Sequence, residues 1–129
     1  MARKKRIMTD KAPKHPLFPQ AVAFGNLVFT SGQVSKDPVT NEYIKDDIAG
    51  QTRRALTNLK STLEAAGSSL ELVLQATIFI TDMSLKPEMN AVYKEFFPSD
   101  GPARATVAVK SLDDGMDMEI QVIAGITDE

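Results

Sequence analysis

Between Ile48 and Ala66, apolar or small residues recur with the 3.6-residue period of a helix, at Ile48, Thr52, Ala55, Leu56, Leu59, Thr62, Leu63 and Ala66. Asp46 and Asp47 stand where an N-cap belongs, and Gly67 where a left-handed C-terminal cap belongs, so both ends of this helix are marked. One amphipathic helix needs a surface to cover. The segments on either side are β-prone, and that alternation points to a layer of helix packed on a sheet.

Gln20 to Phe24 and Leu27 to Ser31 are short β-prone runs around Gly25-Asn26, where glycine at the first central position suits a type II′ hairpin turn. Asp37 to Asn41 is turn chemistry leading to the helix. Val73 to Ile80 is rich in β-branched residues and reads as a central strand, with Leu74, Ala76, Ile78 and Ile80 on one side of the pleat. Pro87 fits the first turn of a second helix whose stripe is Met89, Val92, Tyr93, Phe96 and Phe97. Two further strands, Arg104 to Val109 and Met118 to Ile126, are joined by a turn through Leu112 to Gly115. The order is ββαβαββ. It predicts an α+β fold, a mostly antiparallel sheet with two helices on one face.

The 129 residues suit one domain, expected over 17–129 and preceded by a flexible basic segment over 1–16. Residues 1–14 hold six basic side chains and one acid, which leaves the remainder with nine basic and sixteen acidic groups. Such an acidic body repels phosphate backbones, so nucleic acid is a poor partner for it. The basic start alone offers a contact for RNA, a membrane surface or an import receptor, although a solvated tail is the plainer reading. No apolar run reaches the ~18 residues of a membrane span, and no signal-peptide core follows the basic start. The expectation is a soluble cytoplasmic protein, with a mitochondrial location left open. The chain has no cysteine and one histidine, His15, which removes thiolate chemistry and Cys-type metal sites and argues against a Ser-His-Asp triad. His15, beside Pro16, reads as a tail residue.

In the last strand Met118, Ile120, Val122 and Ala124 form an apolar set, which places Glu119, Gln121, Ile123 and Gly125 on the opposite face. If Ala103, Ala105, Val107 and Val109 are the core set of the preceding strand, Arg104, Thr106, Ala108 and Lys110 join Glu119. Pattern alone makes Arg104 and Glu119 a cross-strand ion pair worth little beyond solubility. Ile123 and the small residues leave that face too apolar for full solvation, a difficulty that a partner subunit would remove. Ser31-Gly32-Gln33 offers a ligand backbone donors and a hydroxyl, and is equally readable as a bend with a bulge. Asn90 reads as a solvated helix residue.

Taken together, Ala23 to Gln33, Asp37-Pro38, the Gln51…Asn58-Leu59 helix, Ala65 to Gly67, Asn90…Tyr93…Phe96-Phe97, Pro102 to Arg104 and Met118 to Ile120 resemble the reactive intermediate deaminase family (RidA, YjgF-like). The likeness runs from Phe18 to Ala124. It implies a chorismate-mutase-like fold, a homotrimer whose sheets face inward with sites between subunits, and hydrolysis of 2-aminoacrylate- and 2-aminocrotonate-type enamine or imine acids to 2-keto acids and ammonia. The resemblance makes Arg104 the substrate-carboxylate binder and Glu119 the residue that orients and activates water, with no metal or cofactor. Thr106 falls where a cysteine is frequent and is implied as a backbone donor, Gly32 as a close backbone approach and Asn90 as a polar wall. Phe18 departs from a usual tyrosine, so the hydroxyl that finishes the pocket is absent. Asp113 replaces a usual proline in a loop. Three other readings stay open: deamination of a larger enamine such as 2-aminomuconate, an RNA-acting endoribonuclease or translation inhibitor, and a chaperone-like binding protein.

Overall fold

Asp47 begins the first helix as expected, its carboxylate accepting from the Gly50 amide at 2.9 Å. The computed structural model describes residues 3–127, with strands β1 (Lys5–Ile7), β2 (Ala21–Phe24), β3 (Leu27–Thr30), β4 (Val73–Ile80), β5 (Ala103–Ala108) and β6 (Met118–Gly125). The helices are α1 (Ile48–Ala65) and α2 (Lys86–Phe96). At the end of α1, Gly67 takes φ +80°, and the Ser68 amide returns to the Leu63 carbonyl at 2.9 Å, which closes the helix. Gly25 takes φ +62° at the β2–β3 turn, as the predicted hairpin requires.

The six strands form one sheet in the order β1-β2-β3-β6-β4-β5, antiparallel throughout except for the parallel β4–β5 pair. Helix α1 packs on β6, β3 and α2. Beneath it Val28, Ala76, Ile78, Ile120 and Val122 meet Ala55, Leu56, Leu59 and Leu63 in the core. At the ~25 cal/mol per Å² of apolar area removed from water, this one buried face is what holds helices and sheet together.

Three expectations need correction. The basic start is no solvated tail from Lys5 onward. β1 pairs with β2, Ile7 and Ala12 are buried, and the Gln20 side chain donates to the carbonyls of Thr9, Ala12 and Pro13. Leu74 does not share the core face of β4, because a bulge between Val73 and Gln75 turns it outward to 54% exposure. The third correction concerns the last two strands, which form no hairpin, since β4 lies between them.

That insertion reassigns the faces. Arg104, Thr106 and Ala108 lie in register with the buried residues Ala76, Ile78 and Ile80, and so belong to the helix side of the sheet. Glu119 is in register with Phe79 on the other face. The open face therefore carries Ala105 and Val107 beside Glu119, not Arg104 and Thr106, and Phe24 and Phe29 add exposed rings to it.

Candidate functional site

Glu119 sits near the start of β6, and the chain around Gly32 approaches it closely. Gln33 pairs with Ile120, its amide donating to the Ile120 carbonyl at 2.7 Å and its carbonyl accepting from the Ile120 amide at 3.0 Å. This bridge lays Gly32 against the Glu119 side chain. A Cβ on Gly32 would lie 2.6 Å from the Glu119 carboxyl carbon, so a side chain there would push the carboxylate out of this position.

The resulting cleft, about 160 Å³, is bordered by Phe18, Ser31, Gly32, Tyr43, Asp113 and Glu119, with His15 at its edge. It has room for a small organic acid. Burial pushes the Glu119 carboxyl above its ordinary pKa, and the negative Asp113 pushes it in the same direction. Burial likewise raises the Tyr43 phenol, helped by Asp113, Asp114 and Glu119. Asp113 is placed by a turn in which Asp114 takes φ +56°.

Asp117 anchors that turn. Its carboxylate accepts from Gln51 at 2.9 Å, Lys45 at 3.0 Å and Thr81 at 3.1 Å, while its amide donates to Gln51 at 2.8 Å. Burial opposes ionisation here, yet the bonds from Lys45, Gln51 and Thr81 hold the carboxyl below its usual pKa.

A second cluster lies at the β5 edge on the helix side. The Arg104 guanidinium stands over the Tyr93 ring at 4.7 Å from the centroid. Burial raises the Tyr93 phenol, and the cationic Arg104 opposes that rise. Asn90 lies one turn before Tyr93 on α2, and Thr106 two residues along β5 from Arg104. Asn90 Oδ1 and Thr106 Oγ1 are both buried without a hydrogen-bond partner. Orphaned polar atoms beside an arginine that makes no ion pair among the described residues are suited to receive an external polar group.

The six residues singled out from sequence thus fall into two groups. Phe18, Gly32 and Glu119 share one cleft, whereas Asn90, Arg104 and Thr106 belong to the other side of the sheet. The expected meeting of Arg104 and Glu119 on one face does not occur within a single chain. Sequence reasoning missed His15, Tyr43, Asp113 and Tyr93. Tyr93 packs against the core as its place in the α2 stripe predicts and meets Arg104 besides, while the others lie in irregular segments with no periodicity to place them. Among the described residues no group of three or more His, Asp or Glu side chains is arranged to hold a metal ion.

Comparison with known proteins adds to this geometry. The family model described as Endoribonuclease L-PSP matches residues 9–126. A RutC family protein of Pyrococcus horikoshii is 45% identical over 123 residues, covering 94% of this chain and 97% of that protein. The 2-iminobutanoate/2-iminopropanoate deaminase of Dermatophagoides farinae is 40% identical over 128 residues, covering 98% of this chain and 99% of that one. Among solved structures, that of a putative endoribonuclease from Thermotoga maritima superposes with a TM-score of 0.93 at 42% identity, covering 97% of this chain and 99% of the other.

Proposed function

The chain belongs to the Endoribonuclease L-PSP family, that of the YjgF/RidA proteins, and from this premise we propose that it hydrolyses small enamine or imine acids, of the 2-aminoacrylate and 2-aminocrotonate type, to 2-keto acids and ammonia. One observation carries the reading: a half-buried carboxylate, raised in pKa, borders a cleft of small-molecule size against a glycine that leaves it space. The imine deaminase of Dermatophagoides farinae, 40% identical to this chain, supports the same chemistry.

In this reading the enamine first takes a proton at carbon to become the protonated imine, and that proton is given back in the last step. Arg104 grips the substrate carboxylate through its planar fork. Glu119 accepts a proton from water as the oxygen bonds to the imine carbon, and returns it to nitrogen. The carbinolamine then loses ammonia as its C–N bond breaks, and the hydroxyl proton leaves to complete the ketone. Water and imine in, keto acid and ammonia out, is a balanced step for which holding the reactants in place supplies much of the gain.

Because Arg104 and Glu119 occupy opposite faces of one sheet, the proposed site draws them from different copies, in a homotrimer. The open face with Phe24, Phe29 and Val107 supplies an apolar surface for such contact. The acidic body favours a small anion held by one arginine over a phosphate backbone. The test supplies purified protein to a serine or threonine dehydratase and follows keto-acid formation. Acceleration that vanishes with Arg104→Ala supports the reading, and no acceleration by the native chain overturns it.

A further inference from the structure

The deaminase reading leaves His15 unused, although its ring borders the cleft beside Glu119. The ring is stacked on Phe18, centroids 4.0 Å apart and planes 12° from parallel. The Leu17 amide donates to His15 Nδ1 at 3.1 Å, so in the neutral ring the proton resides on Nε2. Nε2 has no acceptor among the described residues.

The segment bearing these rings is pinned on both sides. Gln20, itself buried, donates to the carbonyls of Ala12 and Pro13 at 2.8 and 2.9 Å. Asn41, held at φ +64°, accepts from the Lys14 amide at 2.8 Å and donates to the Lys14 carbonyl at 3.0 Å. Two aromatic rings are thus kept at the lip of a cleft while Phe18 remains 45% exposed. Exposed rings held in a fixed orientation form a preorganised contact surface.

We propose that His15 is a substrate-contacting residue of the Glu119 cleft, and that the His15–Phe18 plate selects imino acids whose side chain is itself planar and unsaturated. The proposal rests on the deaminase reading and ranks substrates within it, the alanine-derived imine being accepted but less favoured. A flat conjugated side chain lies against the plate, and Nε2–H provides one directional donor at its rim. Aromatic contact of this kind is worth up to about tenfold in discrimination beyond area burial.

The test compares two imines generated in situ by an amino-acid oxidase, one from alanine and one from phenylalanine, with keto-acid appearance as readout. The native chain is expected to favour the phenylalanine imine in kcat/KM. His15→Ala and Phe18→Leu, both at exposed positions, are each expected to reduce that preference about tenfold. Turnover of both imines with the same ratio in native and variant proteins overturns the plate and leaves the deaminase reading standing. Turnover of neither imine by the native chain overturns both.

Discussion

The Glu119 carboxylate occupies the space in which a side chain on Gly32 would stand. The two residues lie 87 positions apart in sequence and are brought together by the Gln33–Ile120 bridge. The carboxylate proposed as the base is thereby held between backbone on one side and an open cleft on the other.

Gly32→Ala forces that carboxylate aside. Gly32 does not have a left-handed φ, so the added methyl is compatible with its backbone and the cost falls on Glu119. Displacing a catalytic group by about 1 Å costs on the order of 10²-fold, and a loss of that size in kcat/KM is expected. Thermal unfolding run in parallel should show a much smaller change. Unaltered kcat/KM would separate the carboxylate's position from the reaction.

In the proposed reaction burial and, after it, Asp113 raise the pH at which Glu119 can act as a base. Burial and the Asp113 charge both raise the Glu119 pKa, so the acid limb of kcat/KM should lie above the range of an ordinary carboxylate. Asp113→Asn removes one of the two causes. The Glu119 pKa then falls, and the acid limb moves to lower pH. Stability runs in the complementary sense: a raised folded-state pKa contributes stability that is full below the unfolded value and is lost as pH rises through the folded value. Glu119→Gln should therefore abolish activity while making the fold more resistant to denaturant at neutral pH. A pH–rate profile of native and D113N protein, with urea titrations of E119Q, checks both signs.

Asp117 behaves oppositely, as an anchor whose pKa is depressed. Its stabilisation is present above the unfolded carboxyl value of 3.8 and is lost as pH falls through the lower folded value. Asp117→Ala leaves Gln51, Lys45 and Thr81 without their shared acceptor, at a cost of about 1–3 kcal/mol at neutral pH. Denaturant unfolding at neutral and strongly acidic pH should show that difference shrinking in acid. Equal differences at both would assign the loss to packing.

What was legible from sequence was local. The caps of α1 at Asp47 and Gly67 and the Gly25 turn are determined by neighbours within a few residues, and each stands where its chemistry placed it. Faces of the last strands were not. β5 reads Ala-Arg-Ala-Thr-Val-Ala, with small or apolar residues on both sides, so period-2 alternation gives no direction to its core face. The pairing partner decides it, and that partner is β4, reached across α2. Leu74 failed for a related reason, since a bulge adds a residue without a composition signal. Glu119 and Gly32 border one cleft, a contact that depends on the Gln33–Ile120 bridge and has no sequence signal. The Arg104 group was displaced to the opposite face by the insertion of β4.

That displacement gives the shared site its strongest test. Arg104→Ala leaves a copy with an intact Glu119 cleft, and Glu119→Gln leaves one with an intact Arg104 edge. Each variant alone should be inactive, because every site between its copies lacks one of the two groups. When the variants are mixed in equal amounts, unfolded and refolded together, some contacts join the arginine of one copy to the glutamate of another. Random pairing makes about one such site in four complete, so roughly a quarter of native activity should return if the groups come from different copies. Were both groups supplied by a single chain, no mixture could restore a site, and activity would stay at the level of the separate variants. A mixture combined without unfolding serves as the baseline, since its subunits exchange only as fast as the assembly opens.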